Sequence, residues 1–251
     1  MTKSKTIIVT GADSGIGQTI AGLFFEKHWN VIGCGLAKPK DPKCFLDYFE
    51  VDFATEQGLN SFLKNIEHKY SEIDCLVNNA AMQICKSLKE TTYRDFATLY
   101  SVNLFAPALL ASHLLPKLAR NSGNIVNISS VHAVATSKNI ACYASSKGAL
   151  ATITKSMALE FGEHGVRVNA VLPGAVDTPM LESGLMREHL EGQDLQGLKN
   201  NLGRKHVMGR IGIPRDIAQA VYFLADNDSA SFITGSLLSV DGGALARLST
   251  E

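Results

Sequence analysis

The sequence predicts an α/β fold, a Rossmann-type doubly wound parallel sheet of about seven strands with helices on both faces. Short apolar runs alternate along the chain with longer segments of helical period, and this alternation is typical of parallel sheets. Most of the runs are continuously apolar, as expected of strands that are covered on both faces. A glycine-rich turn directly after the first run is the third indication.

The elements follow in order. Strands are predicted where β-branched and apolar residues cluster, at residues 6–10, 31–35, 48–51, 73–77, 124–128, 167–172 and 236–240. Between the fifth and sixth strands, apolar residues recur at helical spacing and predict a helix with one buried stripe, formed by Leu150, Ile153, Met157 and Phe161. Residues 178–212 carry weak helical signals and several glycines. A long excursion after a strand predicts a lid over the site.

Length and composition favour one domain over residues 1–251 and exclude several classes of protein. The 251 residues carry 24 Lys and Arg against 24 Asp and Glu, so no overall field attracts nucleic acid or an anionic membrane. No uninterrupted apolar run approaches the roughly 20 residues of a membrane span. The N-terminus leads directly into the first strand, which predicts a cytoplasmic protein without a signal peptide. The five cysteines form no C-x-x-C pair, and no metal site is predicted.

The most informative residues are Tyr143 and Lys147, four positions apart, with Ser130 thirteen positions upstream. In a helix, positions i and i+4 share one face, so the phenol and the ammonium point into the same space. A nearby positive charge favours the phenolate and lowers the pKa of a tyrosine. With a serine hydroxyl close by, this set predicts proton transfer to or from a carbonyl or an alcohol.

The glycine turn lies between the first strand and a helical segment, the context of a dinucleotide site. Glycine permits the tight turn and lets the backbone approach a pyrophosphate, while the helix N-terminus offers free N–H groups. The predicted cofactor contacts in this turn are Gly11, Asp13, Ser14, Gly15, Ile16 and Gly17.

Further motifs follow the turn in a fixed order. They are Asp52 with Phe53, Asn78-Asn79-Ala80-Ala81, Asn103, Ser130, the Tyr143 and Lys147 pair, and Pro173-Gly174 with Thr178. Over nearly its full length the chain therefore resembles the short-chain dehydrogenase/reductase family. The resemblance implies cofactor contacts at Leu36, Asp52, Phe53, Asn79, Ala80, Ala81, Tyr143, Lys147, Pro173, Gly174, Val176 and Thr178. Alanine stands at positions 81 and 133, where the family often has glycine.

By this resemblance, Tyr143 is the acid and base, and Lys147 lowers its pKa and binds the nicotinamide ribose. Ser130 orients the substrate oxygen, with Ser129 as the competing candidate. Asn103 anchors a water molecule in the proton relay. The resemblance also implies a homotetramer built with the helices around residues 96–119 and 147–161 and with residues 230–243.

The choice between NAD and NADP is open at the end of the second strand. An acidic residue there selects NAD, and Gly35 stands at that position. Leu36 replaces the arginine of many NADP-using relatives, and Ser14 stands where many of them carry a basic residue. Lys38 is a candidate for a 2′-phosphate contact, whereas Asp13 would repel that phosphate. We expect a slight preference for NAD.

Substrate contacts are expected from three segments of the chain. The sequence indicates the type of reaction more closely than it indicates the substrate. The expected residues are Met82, Gln83, Ile84, His132, Asn139 and, in the lid, Met180, Leu181, Leu185, Met186, His189 and His206. For His132, an ordinary packing or hydrogen-bonding role is favoured over contact with the substrate. The mixture suggests a small sugar, polyol or keto acid as substrate of an NAD(P)-dependent oxidoreductase. The alternatives are reduction of a 3-oxoacyl thioester and a non-catalytic NAD(P)-binding sensor. By the same resemblance, an epimerase of the extended branch of the family is disfavoured, because such chains usually carry a sizeable C-terminal substrate domain and this sequence ends soon after the last predicted strand.

Overall fold

The computed structural model describes residues 4–185 and 194–246. Its seven strands form one parallel sheet in the order β3-β2-β1-β4-β5-β6-β7. The strands are β1 (Thr6–Thr10), β2 (Asn30–Gly35), β3 (Asp47–Glu50), β4 (Cys75–Asn78), β5 (Asn124–Ile128), β6 (Arg167–Pro173) and β7 (Leu237–Val240). The predicted fold class is confirmed. Because the strand order reverses between β1 and β4, a crevice forms there at the carboxyl ends of the strands.

The helices cover both faces of the sheet. They are α1 (Gly15–Glu26), α2 (Glu56–Lys69), α3 (Tyr93–Tyr100), α4 (Ala106–Leu118), α5 (Ala141–Gly162), α6 (Pro179–Leu185), α7 (Leu195–Gly203), α8 (Pro214–Ala225) and α9 (Asn227–Ala230). One core cluster contains buried residues of α2, α4 and α5, and a second contains those of α1 and α8. The two clusters sandwich the sheet, which explains the continuously apolar strands.

The fourth strand starts two residues later than the sequence predicts. The backbone N–H of Ile73 donates to the carbonyl of Lys117 at the end of α4 rather than to a neighbouring strand. Asp74 already bonds Thr6 through both its backbone and its carboxylate. Strand pairing between β4 and β1 then begins at Cys75.

The helical segment over residues 93–121 is long and apolar enough to cross a membrane by length and composition alone, with a mean hydropathy of 1.3. Its inner face, however, lies in the core: Leu110, Leu114 and Leu118 are buried against the sheet. A helix that contributes this much to a core is an ordinary element of an α/β layer. The absence of a membrane partner stays a prediction.

A buried chain of amides and hydroxyls joins β4, β5 and α5 beneath the crevice. The Asn78 Nδ2 group donates to Asn127 Oδ1 at 2.8 Å, and Asn127 Nδ2 donates to Thr154 Oγ1 at 2.9 Å. Thr154 Oγ1 in turn donates to the carbonyl of Leu150 at 2.7 Å. Because side-chain hydrogen bonds between buried groups require one arrangement, the chain sets the position of α5 on the sheet.

The Thr154→Val substitution removes the acceptor of Asn127 Nδ2 and should lower the free energy of unfolding by about 1–3 kcal/mol, the cost of an unsatisfied buried donor. Urea denaturation followed by circular dichroism measures the change. The control is Thr152→Val, an exposed threonine two residues earlier on the same helix. Equal stability of the two variants would contradict a structural role for the buried chain.

Candidate active site

The glycine turn between β1 and α1 has a conformation and a packing that require glycine. Gly11 and Gly15 have φ angles of 63° and 54°, in the left-handed region that disfavours side chains. A Cβ atom at Gly17 would lie 2.1 Å from the Gly11 carbonyl oxygen and 2.4 Å from Asn79 Nδ2. The backbone therefore forms a tight cradle that any larger residue at position 17 would fill.

The N-terminus of α1 opens into this cradle. Ser14 is the N-cap residue, but its side chain makes no capping hydrogen bond, and no acidic residue lies in the first turn. The first N–H groups of the helix thus lack side-chain acceptors, and the helix dipole adds a favourable field for an anion. Both features fit the pyrophosphate of a dinucleotide.

Thr10 is a functional residue that the sequence analysis missed. Its hydroxyl accepts hydrogen bonds from the backbone N–H groups of Asn79 and Ala80 at 3.0 and 2.9 Å. The Asn79 amide donates back to the carbonyls of Thr10 and Gly11 at 2.8 and 3.0 Å. These bonds lock the segment after β4 against the glycine turn. The one available signal was the position of Thr10, directly before Gly11.

The segment after β6 lies against the same turn. The Thr178 Cγ2 atom lies 3.4 Å from the position a Cβ would take at Gly15. Gly174 packs against the backbone of Asp241, where a Cβ would lie 2.9 Å from its Cα atom. Val176, which pairs with Gly212, is buried. The structure thus brings Thr178 beside the cradle, and the cofactor contacts of residues 173–176 stay a prediction.

The remaining predicted cofactor residues differ in how they face this crevice. Leu36 is 73% exposed directly after β2. The Asp52 carboxylate accepts the backbone N–H of Ala54 at 2.9 Å and lies at the surface. Phe53 is buried, with its ring 5.8 Å from that of Phe62. A contact of Phe53 with a cofactor therefore falls to its backbone, which the sequence motif does not distinguish. Ile16, Asn79, Ala80 and Ala81 are all half-buried.

Helix α5 brings Tyr143 and Lys147 to the carboxyl end of β5. Both side chains are buried, and the Lys147 Nζ atom lies 5.7 Å from the centroid of the Tyr143 ring. Ser130 follows β5, and its side chain lies close enough to the Tyr143 hydroxyl to lower the pKa of that phenol. The Ser130 Oγ atom also accepts the backbone N–H of His132 at 3.1 Å. The three residues thus come together in one place.

The structure distinguishes Ser130 from Ser129. The Ser129 hydroxyl donates to the carbonyl of Lys147 at 2.9 Å and is buried beneath α5. Its proton is therefore used within the scaffold, whereas the Ser130 hydroxyl meets the phenol of Tyr143. The alternation of side chains along an extended backbone explains the difference, since adjacent residues point in opposite directions.

Burial sets the protonation states of this cluster. It raises the pKa of Tyr143 to about 12, although the hydrogen bond from Ser130 acts in the opposite direction. Burial also lowers the pKa of Lys147 to about 7, while its Nζ atom donates to the carbonyl of Ile128 at 2.8 Å. The expectation that Lys147 lowers the pKa of Tyr143 stays a prediction. In this structure removal from water has the largest effect on the pKa of each group, because it disfavours both charged forms.

Asn103 lies in a π-helical turn, Ser101–Phe105, that joins α3 to α4. Such turns occur frequently at functional sites. The Asn103 Oδ1 atom accepts the N–H of Met82 at 2.9 Å, and Nδ2 donates to the Met82 carbonyl and to Ser146 Oγ, both at 3.0 Å. Its side chain thus holds the segment after β4 against α5. The anchoring of a water molecule by Asn103 stays a prediction.

The segment after β4 forms an apolar wall near Tyr143. Met82 and Ile84 pack against the small buried cluster that includes the tyrosine ring. Cys85, which the sequence analysis did not include in the site, is close enough for its charge to influence the pKa of Tyr143. The His132 ring contacts that of Tyr143 edge-on, with centroids 5.9 Å apart. This contact supports the packing interpretation of His132.

His206 was expected to face the substrate from the lid, and the structure shows a different role. It is 5% exposed, its Nδ1 atom lies 2.9 Å from the Leu202 carbonyl, and Nε2 accepts the N–H of Ala175 at 3.3 Å. The imidazole therefore ties the end of α7 to the segment after β6. A backbone donor and acceptor on opposite sides leave the ring no free nitrogen for a substrate.

The other predicted substrate contacts of the lid stay predictions, and an ion pair that the sequence analysis did not predict joins two of its helices. Lys199 of α7 binds Asp177 and Glu182 at 2.6 and 2.7 Å, which joins α7 to the start of α6. Met186 and His189 lie outside the described residues. Within residues 4–185 and 194–246, no group of His, Cys, Asp and Glu is arranged to hold a metal ion, and the absence of a metal stays a prediction.

Several known proteins are similar to this chain in sequence and in structure. A family model described as Enoyl-(Acyl carrier protein) reductase matches residues 11–244. L-fucose dehydrogenase of Oryctolagus cuniculus is 32% identical over 96% of this chain and 84% of the relative. The 3-oxoacyl-acyl-carrier-protein reductase FabG of Chlamydia trachomatis is 32% identical over 96% of this chain and 97% of the relative.

Solved structures agree with the sequence relatives. The aldohexose dehydrogenase of Thermoplasma acidophilum is 34% identical, with a TM-score of 0.91 over 98% of this chain and 96% of its own. Two structures with a TM-score of 0.84, each covering 98% of this chain and 100% of their own, contain cofactor. These are 4-hydroxyisoleucine dehydrogenase with NADH, 28% identical, and ElxO with NADP, 29% identical. The chain belongs to the short-chain dehydrogenase/reductase family and is an NAD(P)-dependent oxidoreductase.

Proposed function

We propose that the protein interconverts a secondary alcohol and a ketone on a small sugar or polyol, with NAD as the preferred cofactor. The observation that carries the reaction type is the convergence of Ser130, Tyr143 and Lys147 at the carboxyl end of β5, in the same parallel sheet as β1, which the glycine turn follows. The nicotinamide supplies or accepts the hydride when bound. The residues of the chain supply position and the proton.

The protonation state of Tyr143 suits it to give a proton. Because its pKa is raised to about 12, the phenol is protonated at neutral pH. In the reducing direction, Tyr143 donates this proton to the substrate oxygen, which becomes the alcohol. Ser130 lies beside the same phenol and stabilises negative charge that develops on the oxygen. In the oxidising direction, the two residues perform the reverse steps.

Lys147 holds a fixed position between the sheet and the tyrosine. Its bond to the Ile128 carbonyl directs the amine along the end of β5. A lysine amine with a pKa of about 7 exchanges protons readily at neutral pH. Lys147 is therefore suited to bind a ribose hydroxyl and to return a proton toward Tyr143.

The lining of the site supports a small substrate of mixed polarity. Met82 and Ile84 provide apolar surface, and Gln83, Cys85 and His132 provide polar groups within the same region. Aldohexose and L-fucose dehydrogenases among the similar proteins support a sugar or polyol.

A 3-oxoacyl thioester on an acidic carrier protein is the second candidate, favoured by the similarity to FabG. An acidic carrier requires unpaired positive charge at the entrance. Lys86 instead pairs with Asp95 at 3.1 Å, and Arg210 pairs with Asp216 at 2.7 Å. These pairs reduce the field that a carrier would meet. The complete catalytic set argues against a cofactor-binding sensor without activity.

The preference for NAD rests on the end of β2. Gly35 and Leu36 offer no positive charge for a 2′-phosphate, and Ser14 is neutral. A bound phosphate would have to rely on Lys38, an exposed residue of the following loop.

The cytoplasmic location, the lid over residues 178–212 and the lack of nucleic-acid and membrane partners belong to the same proposal.

A homotetramer is also part of it. Phe105 and Leu159 are exposed apolar residues near and on α4 and α5, and Phe223 and Phe232 are exposed around α8. Exposed apolar groups of this size mark interfaces. Two separate isologous contacts on one chain generate a tetramer with three two-fold axes.

The Tyr143→Phe substitution tests the proposed reaction. It removes the phenolic proton while the ring still packs, and turnover should fall by roughly 10²–10⁴-fold. The assay is absorbance of the reduced nicotinamide in a screen of sugars, polyols and 3-oxoacyl thioesters with both cofactors. The control is Tyr93→Phe, an exposed tyrosine of α3. Near-normal turnover of Tyr143→Phe on the best substrate would contradict the assignment.

A buried lysine predicts a pH-dependent gain in stability for Lys147→Met. In the unfolded chain the amine keeps its proton up to its ordinary pKa of 10.5, whereas in the folded chain it loses it at about 7. Between these values the unfolded state binds more protons, so wild-type stability relative to the variant rises with pH. The difference by which the melting temperature of Lys147→Met exceeds that of the wild type should be largest at pH 7 and below.

Thermal melts at several pH values between 6 and 10 measure this trend. Lys155→Met, which removes an exposed lysine from the same helix, is the matched control and should follow the wild type across the range. A constant difference between wild type and Lys147→Met would show that the amine is charged in the folded protein. Activity of Lys147→Met should be lost at every pH because the residue is part of the proposed site.

The oligomeric state is open to direct measurement. Light scattering at micromolar concentration should give the mass of a tetramer, and Leu159→Glu on the exposed face of α5 should give a dimer by placing like charges across one interface. Lys155→Met keeps that face free of a new negative charge and serves as the control. A wild-type monomer at this concentration would refute the assembly.

A further inference from the structure

The carboxyl end of β2 lacks the group that usually reads the adenosine ribose. In dinucleotide-binding sheets, an acidic residue at this point hydrogen-bonds the ribose hydroxyls. Here β2 ends at Gly35, followed by the exposed Leu36. Neither residue has a side chain that accepts a hydrogen bond. Recognition of the ribose therefore requires an acceptor from another element.

Asp13 of the glycine turn lies at the place that is empty on β2. A Cβ atom at Gly35 would lie 2.2 Å from Asp13 Oδ1 and 2.8 Å from its Cγ atom. The neighbouring Ala12 N–H donates to the Cys34 carbonyl at 2.9 Å, which fixes the turn against the end of the strand. The carboxylate thus occupies the space into which a side chain at position 35 would project.

The Asp13 carboxylate is available for a ligand. Within residues 4–185 and 194–246, no hydrogen bond or ion pair engages it, and the residue is half-buried. A Cβ atom at Gly35 would also lie 2.6 Å from the Tyr48 hydroxyl. That hydroxyl donates its hydrogen bond to the Ala37 carbonyl at 2.8 Å and not to Asp13. Burial, followed by the charge of Asp13, raises the pKa of the Tyr48 hydroxyl, in keeping with a carboxylate close to the end of β2.

We propose that Asp13 takes over the role of the missing acidic residue of β2, accepts hydrogen bonds from the two adenosine ribose hydroxyls and excludes a 2′-phosphate. The inference rests on the proposed preference for NAD and names its structural origin. Gly35 is the complement of Asp13, because a side chain at position 35 and the carboxylate at position 13 compete for one space. The acid has moved from the strand to the phosphate-binding turn.

Binding of NADH and NADPH without substrate, measured by isothermal titration calorimetry, tests the inference independently of turnover. Wild-type protein should bind NADH at least 10-fold more tightly than NADPH. Asp13→Ser should weaken NADH binding by about 10–100-fold, as expected for hydrogen bonds to a charged acceptor. The same variant should bind NADPH at least as tightly as wild type, since the repulsion is gone.

A second variant moves the acid back to the strand. Asp13→Ser combined with Gly35→Asp and Tyr48→Phe should recover the NADH preference, because both groups that a Cβ at position 35 would meet, the Asp13 carboxylate and the Tyr48 hydroxyl, are then absent. Asp41→Ser removes a negative charge from the loop after β2 at a residue that is not among the nearest neighbours of Gly35, and should keep the wild-type ratio. Asp13→Asn, which keeps the shape of the side chain, repeats the test in case the triple variant does not fold.

The outcomes separate this inference from the proposed reaction. If Asp13→Ser and Asp13→Asn keep the wild-type ratio of NADH to NADPH affinity, Asp13 does not read the ribose and the inference is overturned. If wild type binds NADPH as tightly as NADH, the preference for NAD and the inference both fail. Loss of turnover in Tyr143→Phe with unchanged NADH binding would leave the reaction supported in either case.

Discussion

The burial of Lys147 at the end of β5 is the interaction on which the rest of the site depends. The amine donates to the Ile128 carbonyl, and α5 lies against the sheet with Tyr143 one turn earlier. The same withdrawal from water raises the pKa of the phenol and lowers that of the amine. A phenol that stays protonated and an amine that exchanges protons readily at neutral pH both result from this burial.

Much of the polar chemistry at the crevice serves the backbone rather than the ligand. Thr10 and Asn79 hold the loop after β4 to the glycine turn, and Asn103 holds the same loop to α5. His206 and Ser129 bond main-chain groups in the same manner. Buried backbone groups at the ends of strands must be satisfied, and side chains do this where no strand continues. The result is a rigid frame around a few free groups.

The sequence located most of these elements because their signals are local. The strand–glycine turn–helix order and the spacing of Tyr143 and Lys147 depend on neighbours within one or two turns. The sequence indicates the role of a residue less clearly where two adjacent residues are of the same type or where a side chain can be buried in the core. Ser129 and Ser130 are equivalent in the sequence, and the rings of Phe53 and His206 carry no local mark of burial. Residue Thr10 was missed because its partners are about seventy residues away.

The sequence by itself determined the fold class, the order of the strands along the chain and the candidates for the reacting groups, since periodicity, glycine position and helical spacing act over short range. Tertiary structure alone decided which serine lies beside the phenol and how burial shifts the pKa values of Tyr143 and Lys147. It also decided which residue places a carboxylate beside the end of β2, where the strand itself has no acidic residue. The physical reason is that pKa values and hydrogen-bond partners depend on distances between segments remote in sequence. The contact of Asp13 with Gly35 exists only because the turn after β1 folds over the end of β2.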